Sequence, residues 1–222
     1  MNFLRVAPLA VLAVLALTAC PDPAKNKPKA QVTAAPAEPA HPAGAPAPPA
    51  IPGTPLRFSE AGSSISWTGA KVTASHAGTF QKFNGAIGLV DGDPAKSVVY
   101  VSVVTDSIFT ADSADLLEHL KGADFFDVQK FPLATFRSTA ISAGGGGSAT
   151  HSVTGLLELH GVTKTITFPA TITAAADAVT VRAEFALNRK DFGISYPGKP
   201  DNLIRDEVVL KLDITAKPSQ GG

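Results

Sequence analysis

The chain has 222 residues, a single cysteine, and 19 basic and 19 acidic side chains that leave no net charge. The balanced charge shows no basic footprint and so excludes a typical nucleic-acid-binding protein. Because one cysteine cannot form a disulfide within the chain, the folded part must be stabilised by its apolar core.

The first twenty residues have the pattern of a bacterial lipoprotein signal. Arg5 precedes the apolar residues 6–17, which are too few to cross a bilayer comfortably as a permanent helix. Leu17-Thr18-Ala19-Cys20 then resembles a lipobox, in which the cysteine is acylated once the signal is removed. We therefore predict a signal peptide over residues 1–19 and lipidation at Cys20. The alternative is an ordinary secretory signal with a chance cysteine.

The lipobox predicts a protein on the periplasmic side of the cell envelope, attached to the inner or the outer membrane through Cys20. After it, residues 21–55 hold 11 of the 18 prolines and no aromatic residue. Such a segment cannot bury enough apolar surface to fold alone. We therefore expect residues 20–55 to be a disordered, Pro/Ala-rich tether, and residues 218–222 to be a disordered tail.

From residue 56 onward, apolar side chains recur at every second position, which predicts β-strands with one buried face. The alternation is clearest over residues 153–159, 165–172, 179–187 and 208–215. Eight or nine strands are expected, joined chiefly by hairpins. Antiparallel sheets of this size commonly close into barrels, and an eight-strand barrel is filled by side chains or holds one small ligand.

One segment has helical spacing instead. Asp112 is the predicted N-cap, Gly122 the predicted end, and the Phe125-Phe126 pair follows directly. Because this segment lacks the spacing of a strand, we expect it to cover one end of the barrel as a lid. Its apolar stripe consists of Leu116, Leu117 and Leu120.

Six ordered strings carry a resemblance to a known family. Each is weak alone, but together they resemble the YceI-like family of bacterial periplasmic proteins over about residues 56–216. The strings are HAGTFQKFNG (76–85), DSIFT (106–110), EHLKGADFFD (118–127), FPLATFRST (131–139), VTGLLELHGVTK (153–164) and NRKDFG (188–193).

The resemblance implies an all-β fold over residues 56–217, an extended lipocalin-like antiparallel β-barrel of about eight strands with one short helix. It also implies an apolar tunnel for a long isoprenoid lipid, either a polyprenyl phosphate or an isoprenoid quinone, as carrier or sequestering protein. No cofactor or metal besides this lipid is implied. The lipobox and tether depart from most members, which are soluble in the periplasm.

The candidate wall and lid residues are the inward apolar side chains of the strands and of the lid, although each is also consistent with ordinary core. They are Phe80, Phe83, Val101, Phe109, Leu116, Leu120, Phe125, Phe126, Phe136, Leu157, Phe168, Val181, Phe185, Leu210 and Leu212.

Four polar residues are candidates for contacting the lipid headgroup, namely His76, His119, Arg189 and Asp191. A guanidinium suits the geometry of a phosphate. The alternative is an Arg189–Asp191 pair that fastens a loop.

Two other function classes stay open, a structural or adhesion module on a lipid-anchored stalk and a hydrolase with a His-based site. The sequence contains no HExxH motif, no GxSxG motif and no candidate catalytic cysteine, so we expect a protein that is not an enzyme. Whether the protein is a monomer or a dimer also stays open.

Overall fold

The computed structural model describes residues 20–36, 51–175, 177–200 and 202–218. The predicted signal peptide, residues 37–50 of the predicted tether and the end of the predicted tail lie outside these ranges. The strands are β1 (Gln31–Ala34), β2 (Thr54–Ser59), β3 (Ser64–Ala70), β4 (Ser75–Phe80), β5 (Phe83–Val90), β6 (Asp93–Val104), β7 (Ile108–Phe109), β8 (Leu133–Ala143), β9 (His151–Leu159), β10 (Val162–Ala174), β11 (Val179–Asn188), β12 (Gly198–Lys199), β13 (Asn202–Leu203) and β14 (Glu207–Pro218).

Eight of the described strands close into an antiparallel barrel, in the order β14, β11, β10, β9, β8, β6, β5, β2 and back to β14. Strand β3 pairs with β14 next to β2, and β4 and β7 extend the sheet from β3. The predicted all-β barrel with one short helix is therefore confirmed. Its pairing runs from Thr54 to Pro218, slightly beyond the predicted bounds.

The period-two pattern explains which side chains fill the interior. In β11, Phe185 and Leu187 are buried, whereas Arg182 and Glu184 are exposed. Strand β11 pairs with β14 over its whole length, so the inward faces of the two strands coincide.

Two-residue turns join several of these strands. Asp91-Gly92 and His160-Gly161 both have positive φ at both positions, 54° and 70° in the first and 53° and 72° in the second. Positive φ at both positions gives the turn a twist that matches the flanking strands. The His160-Gly161 turn fixes the register of the hairpin β9–β10, whereas an irregularity between Gly88 and Val90 shifts the register of β5–β6.

The helix α1 (Ala114–Lys121) begins one residue later than the cap predicted for it. The hydroxyl of Ser113 accepts a hydrogen bond from the Leu116 N–H at 3.3 Å, so Ser113 is the N-cap and the prediction of Asp112 is wrong. The Asp112 carboxylate instead lies 2.9 Å from Nδ1 of His76 on β4. The predicted end at Gly122 is confirmed.

The half of the barrel away from α1 is filled by side chains. Leu56, Ile87, Ile141, Val153 and Val179 are all buried there and belong to one apolar cluster. This packed half supplies the core that a domain without disulfides needs.

Residues 20–36 form a strap that completes the barrel wall. Strands β10 and β11 pair over only four residues near one end, and closer to α1 they separate. Strand β1 fills this gap by pairing antiparallel with β10, while Lys29 forms a parallel bridge to Ala186 of β11. Ala30 and Val32 of the strap pack against the barrel core.

The expectation of a disordered tether over residues 20–55 is therefore wrong for residues 20–36. The Ala30 N–H donates to the carbonyl of Ala186, and the Ala186 N–H donates to the carbonyl of Pro28, both at 2.8 Å. Backbone groups make these bonds, so a composition poor in large apolar side chains does not prevent them.

The strap also covers apolar side chains on the outer face of the barrel. Ala24 is fully buried and packs with Ala186 of β11 and Val209 of β14. Lys27 forms an ion pair with Glu184 of β11 at 2.8 Å. Ala186 and Val209, which point outward, are thus covered by Ala24 of the strap. This contact explains why two apolar residues interrupt the polar outer faces of β11 and β14.

Candidate functional site

The half of the barrel that carries α1 contains a cavity of about 450 Å³. Inward side chains of the strands form its wall, and α1 and the loop after β11 form its roof. Most of the predicted wall and lid residues lie in its lining: Phe80, Val101, Leu116, Leu120, Phe125, Phe126, Phe136, Leu157, Phe168, Phe185, Leu210 and Leu212.

Three predicted wall residues lie elsewhere. Phe83 is 3% exposed and belongs to the packed core, and Val181 packs against the same core. Phe109 is 40% exposed because its neighbour Ile108 takes the inward position on the two-residue strand β7. The proposed lipid-wall role is therefore withdrawn for Phe83, Phe109 and Val181.

Three phenylalanines form the floor of the cavity. The rings of Phe168 and Phe185 are stacked with centroids 4.4 Å apart, and the Phe136 ring lies 5.7 Å from that of Phe168. A β-carbon at Gly155 would lie 2.5 Å from the Phe136 ring, so only glycine leaves room for the ring at this position. Each ring of the floor therefore packs against another of the three.

The roof is held by an aromatic cluster between α1 and the loop after β11. The His119 ring lies 4.9 Å from both Phe125 and Tyr196, and these two rings lie 5.6 Å apart. On the other side of the roof, the Phe126 ring meets the edge of Phe80 at 5.7 Å. Tyr196 was not predicted, because its loop has no strand or helix pattern.

Both predicted headgroup histidines line the cavity, and each has a carboxylate partner. Nδ1 of His76 lies 2.9 Å from Asp112, and Nε2 of His119 lies 2.9 Å from Asp124. These carboxylates are partly exposed and lie outside the lining. The pairs fix the orientation of the two rings at the edge of the roof.

Arg189 lines the cavity but uses its donors on the protein. Its side chain is 5% exposed, with Nη1 donating to the carbonyl of Ile194 at 2.7 Å and Nε to that of Arg205 at 3.2 Å. Burial lowers the pKa of the guanidinium, and the nearby charge of Asp206 opposes this effect. Asp191 is exposed and lies outside the lining. Arg189 thus fastens a loop, as the alternative to a headgroup role predicted, but its acidic partner is Asp206 and not Asp191.

Three cations that were not predicted as site residues line the mouth. Lys71 follows β3, Lys199 lies on β12, and Arg205 precedes β14. A backbone bridge between Lys71 and Ile204 joins these distant segments. No described lining residue is Asp or Glu, and although Arg205 pairs with Asp22, Lys71 and Lys199 form no ion pair within the described ranges.

Trp67 is a further wall residue that the sequence analysis missed. It is 7% exposed and lines the cavity, and its indole Nε1 has no hydrogen-bond acceptor among the described residues. The same is true of Nε of Arg205. Trp67 could have been predicted from the sequence, because it lies two positions after Ile65 and so shares the inward face of β3. Buried donors normally have an acceptor, so both N–H groups are available to a water molecule or to a ligand oxygen.

Among the described residues, no group of three His, Cys, Asp or Glu side chains is placed to bind a metal ion. No helix within the described ranges has the length and apolar character needed to cross a bilayer.

A closed barrel with an apolar cavity under a helical roof defines a lipocalin-like binding protein. The YceI-like domain matches residues 56–216, and this chain belongs to the YceI-like family. The predicted family is therefore confirmed. Its relatives include a UPF0312 protein of Pseudomonas putida strain W619, 39% identical over 146 residues, which are 63% of this chain and 71% of the relative.

Solved structures share the fold. BcnA of Burkholderia cenocepacia superposes with a TM-score of 0.62 at 25% identity, over 71% of this chain and 98% of BcnA. A polyisoprenoid binding domain from Saccharophagus degradans superposes with a TM-score of 0.58 at 14% identity, over 74% of this chain and 98% of that domain. The latter likeness concerns the fold alone.

Proposed function

We propose that this protein binds an isoprenoid lipid with an anionic headgroup, such as a polyprenyl phosphate, as a carrier or sequestering protein of the cell envelope. One observation carries the proposal: an unfilled apolar cavity with three cations at its mouth, of which Lys71 and Lys199 form no ion pair among the described residues. The polyisoprenoid binding domain of Saccharophagus degradans, which has the same fold, supports the choice of lipid.

The apolar wall accounts for the tail. A tail that buries about 300 Å² of apolar surface gains roughly 7 kcal/mol before the costs of ordering. The cavity of about 450 Å³ falls within the range of about 300–1,000 Å³ for small-molecule sites. A branched hydrocarbon needs no polar partners along this wall.

The mouth accounts for the headgroup. Lys71, Lys199 and Arg205 line it, and the N–H groups of Trp67 Nε1 and Arg205 Nε are available to donate to headgroup oxygens. A phosphate offers both negative charge and several acceptors, whereas a quinone offers uncharged carbonyls only. We therefore favour the polyprenyl phosphate over the isoprenoid quinone.

The lining does not favour the hydrolase alternative. The described lining residues include no Ser, Thr or Cys that could act as a nucleophile, and the carboxylates that pair with His76 and His119, those of Asp112 and Asp124, are partly exposed and lie outside the lining. The structural-module alternative is disfavoured because the cavity is unfilled, whereas a module without a ligand needs a packed interior.

In this proposal the protein lies on the periplasmic side of the envelope, which the lipobox-like sequence before Cys20 supports. Acylation of Cys20 would anchor the protein to the inner or the outer membrane. The strap would then connect the anchor directly to the barrel wall.

Tryptophan fluorescence tests lipid binding, because Trp67 is the only tryptophan and lines the cavity. The protein is titrated with farnesyl phosphate and with farnesol, two short isoprenoids that differ in the headgroup. We expect saturable quenching by both, with farnesyl phosphate binding about tenfold more tightly because of its charge-assisted contacts. No change in fluorescence with either compound would overturn the proposal. Equal affinities for the two compounds would overturn the choice of an anionic headgroup.

Matched variants sharpen this experiment. Lys71→Gln with Lys199→Gln should remove the preference for the phosphate, whereas Lys96→Gln, on an exposed position of β6, should leave it unchanged. Leu210→Phe fills part of the cavity and should weaken both ligands. Mass spectrometry of the protein from its own host should then identify a co-purified isoprenoid.

A further inference from the structure

We propose that the rim of the cavity mouth is a docking surface for an anionic lipid bilayer. The rim consists of Lys71 and Val72, after β3, and of Lys199 and Leu203 on the hairpin β12–β13. The proposal concerns how the barrel meets the membrane, and its purpose rests on the proposed lipid binding.

Two exposed apolar side chains stand together on this rim. Val72 is 39% exposed and Leu203 is 49% exposed, and the Val72 N–H donates to the Leu203 carbonyl at 3.1 Å. Among the described residues, Phe109 is the one other large apolar side chain with comparable exposure. Paired exposed apolar groups beside a cavity mouth mark an interaction surface, and the bilayer interface accepts such groups.

The charges of the rim suit an anionic surface. Lys71 and Lys199 line the mouth and form no ion pair within the described ranges. Of the described acids between β11 and β14, Asp206 is engaged by Arg189 and Lys190, and Asp191 is exposed and lies outside the cavity lining. Each lysine near an anionic membrane surface strengthens binding about fivefold.

The predicted anchor lies at the same end of the barrel. Arg205, which lines the mouth, donates from Nη2 to the Cys20 carbonyl at 3.4 Å and from Nη1 to Asp22 at 3.2 Å. The strap holds Cys20 there through its pairing with β10 and β11. Anchor and rim therefore face the same surface, and a lipid would enter the cavity from the bilayer without crossing water.

The experiment measures vesicle binding without any acyl group. The chain from residue 20 onward, which includes every described residue, carries Cys20→Ser and is sedimented with vesicles of phosphatidylethanolamine and phosphatidylglycerol at 3:1. We expect binding that exceeds binding to phosphatidylcholine vesicles and that falls with added salt. Val72→Ser with Leu203→Ser should weaken it about tenfold by removing apolar contact. Lys71→Gln should weaken it about fivefold.

The controls are exposed residues away from the rim. Phe109→Ser and Lys96→Gln should bind vesicles as the parent does. Equal weakening by the rim and control variants, or no preference of the parent for anionic vesicles, would overturn the docking surface. Farnesyl phosphate titration in solution keeps the two proposals apart, because neither Val72 nor Leu203 lines the cavity. Val72→Ser with Leu203→Ser should therefore bind this ligand as the parent does, and a parent that binds it but shows no preference for anionic vesicles would overturn docking alone.

Discussion

Arg205 joins the mouth of the cavity to the strap, since its Nη1 donates to Asp22 at 3.2 Å across 183 positions of sequence. The same guanidinium reaches the carbonyl of Cys20 at 3.4 Å. The residue that we expect to be acylated therefore lies beside the opening that we expect to receive a lipid. A flexible tether would instead let the barrel turn freely with respect to its membrane.

The strap should detach when its buried contact is disrupted. Ala24 is fully buried against Ala186 and Val209, and no space exists for a long charged side chain. Ala24→Arg should therefore make residues 20–36 sensitive to limited proteolysis and lower the melting temperature, whereas Asn26→Arg, on an exposed position, should not. A strap that stays protected in Ala24→Arg would contradict the packing described above.

Arg189 should be essential for the loop that carries one side of the mouth. Arg189→Met leaves the carbonyls of Ile194 and Arg205 and the carboxylate of Asp206 without this donor, at a cost of about 3 kcal/mol in the free energy of unfolding. Thermal unfolding should show a fall of roughly 6–12 °C.

Lys190→Ala is the matched control for Arg189→Met, because Lys190 pairs with the same carboxylate at 2.9 Å on the exposed surface. It should change the free energy of unfolding by about 0.5 kcal/mol or less. If both variants lose similar stability, Asp206 alone and not the buried guanidinium holds the loop.

The lid helix should depend on Ser113 and not on Asp112. Ser113→Ala removes the acceptor for the Leu116 N–H, and the stability of α1 should fall by about 1 kcal/mol. This loss should be seen as faster amide hydrogen exchange over residues 114–121. Asp112→Asn should leave this exchange nearly unchanged, because the Asp112 side chain pairs with His76. The opposite ranking of the two variants would restore Asp112 as the cap.

Gly78 should be needed for the position of Trp67. A β-carbon at Gly78 would meet the backbone of Phe109 and lie 2.5 Å from the Trp67 indole, so Gly78→Ala should cost about 1–3 kcal/mol. The emission of Trp67 should shift to longer wavelength as the ring moves. Gly69→Ala on the neighbouring strand is the control, since its β-carbon has nothing within 4 Å. Unchanged emission in Gly78→Ala would show that the ring has room elsewhere.

Local patterns predicted most of the strands, because alternation reports directly which side of a strand is buried. The same alternation would have identified Trp67, which shares the inward face of β3 with Ile65. It could not separate wall from core: Phe83 and Phe185 are both inward, yet Phe185 lines the cavity and Phe83 does not. That difference depends on how neighbouring elements fill the interior around each ring, since Phe83 pairs with the cavity-lining Val103 and is nevertheless enclosed by the core.

Predictions of side-chain partners from nearness in the sequence were less accurate than predictions of strand faces. Arg189 was matched with Asp191, two positions away, but successive residues of the short helical turn point in different directions. The loop after β11 returns to place Asp206 beside the guanidinium instead. Lys71 and Lys199 were missed for the same reason, since only the closed barrel brings their turns to one mouth.

The sequence by itself determined the strand faces, the end of the helix and the family, because side-chain period and ordered motifs are local properties of a chain. Only the tertiary structure decided that the strap is part of the barrel wall and that the cavity occupies one half of the interior. Backbone pairing and the filling of space depend on elements far apart in the chain. Ala186 and Val209, apolar on otherwise polar faces, were the one trace of the strap that the sequence contained.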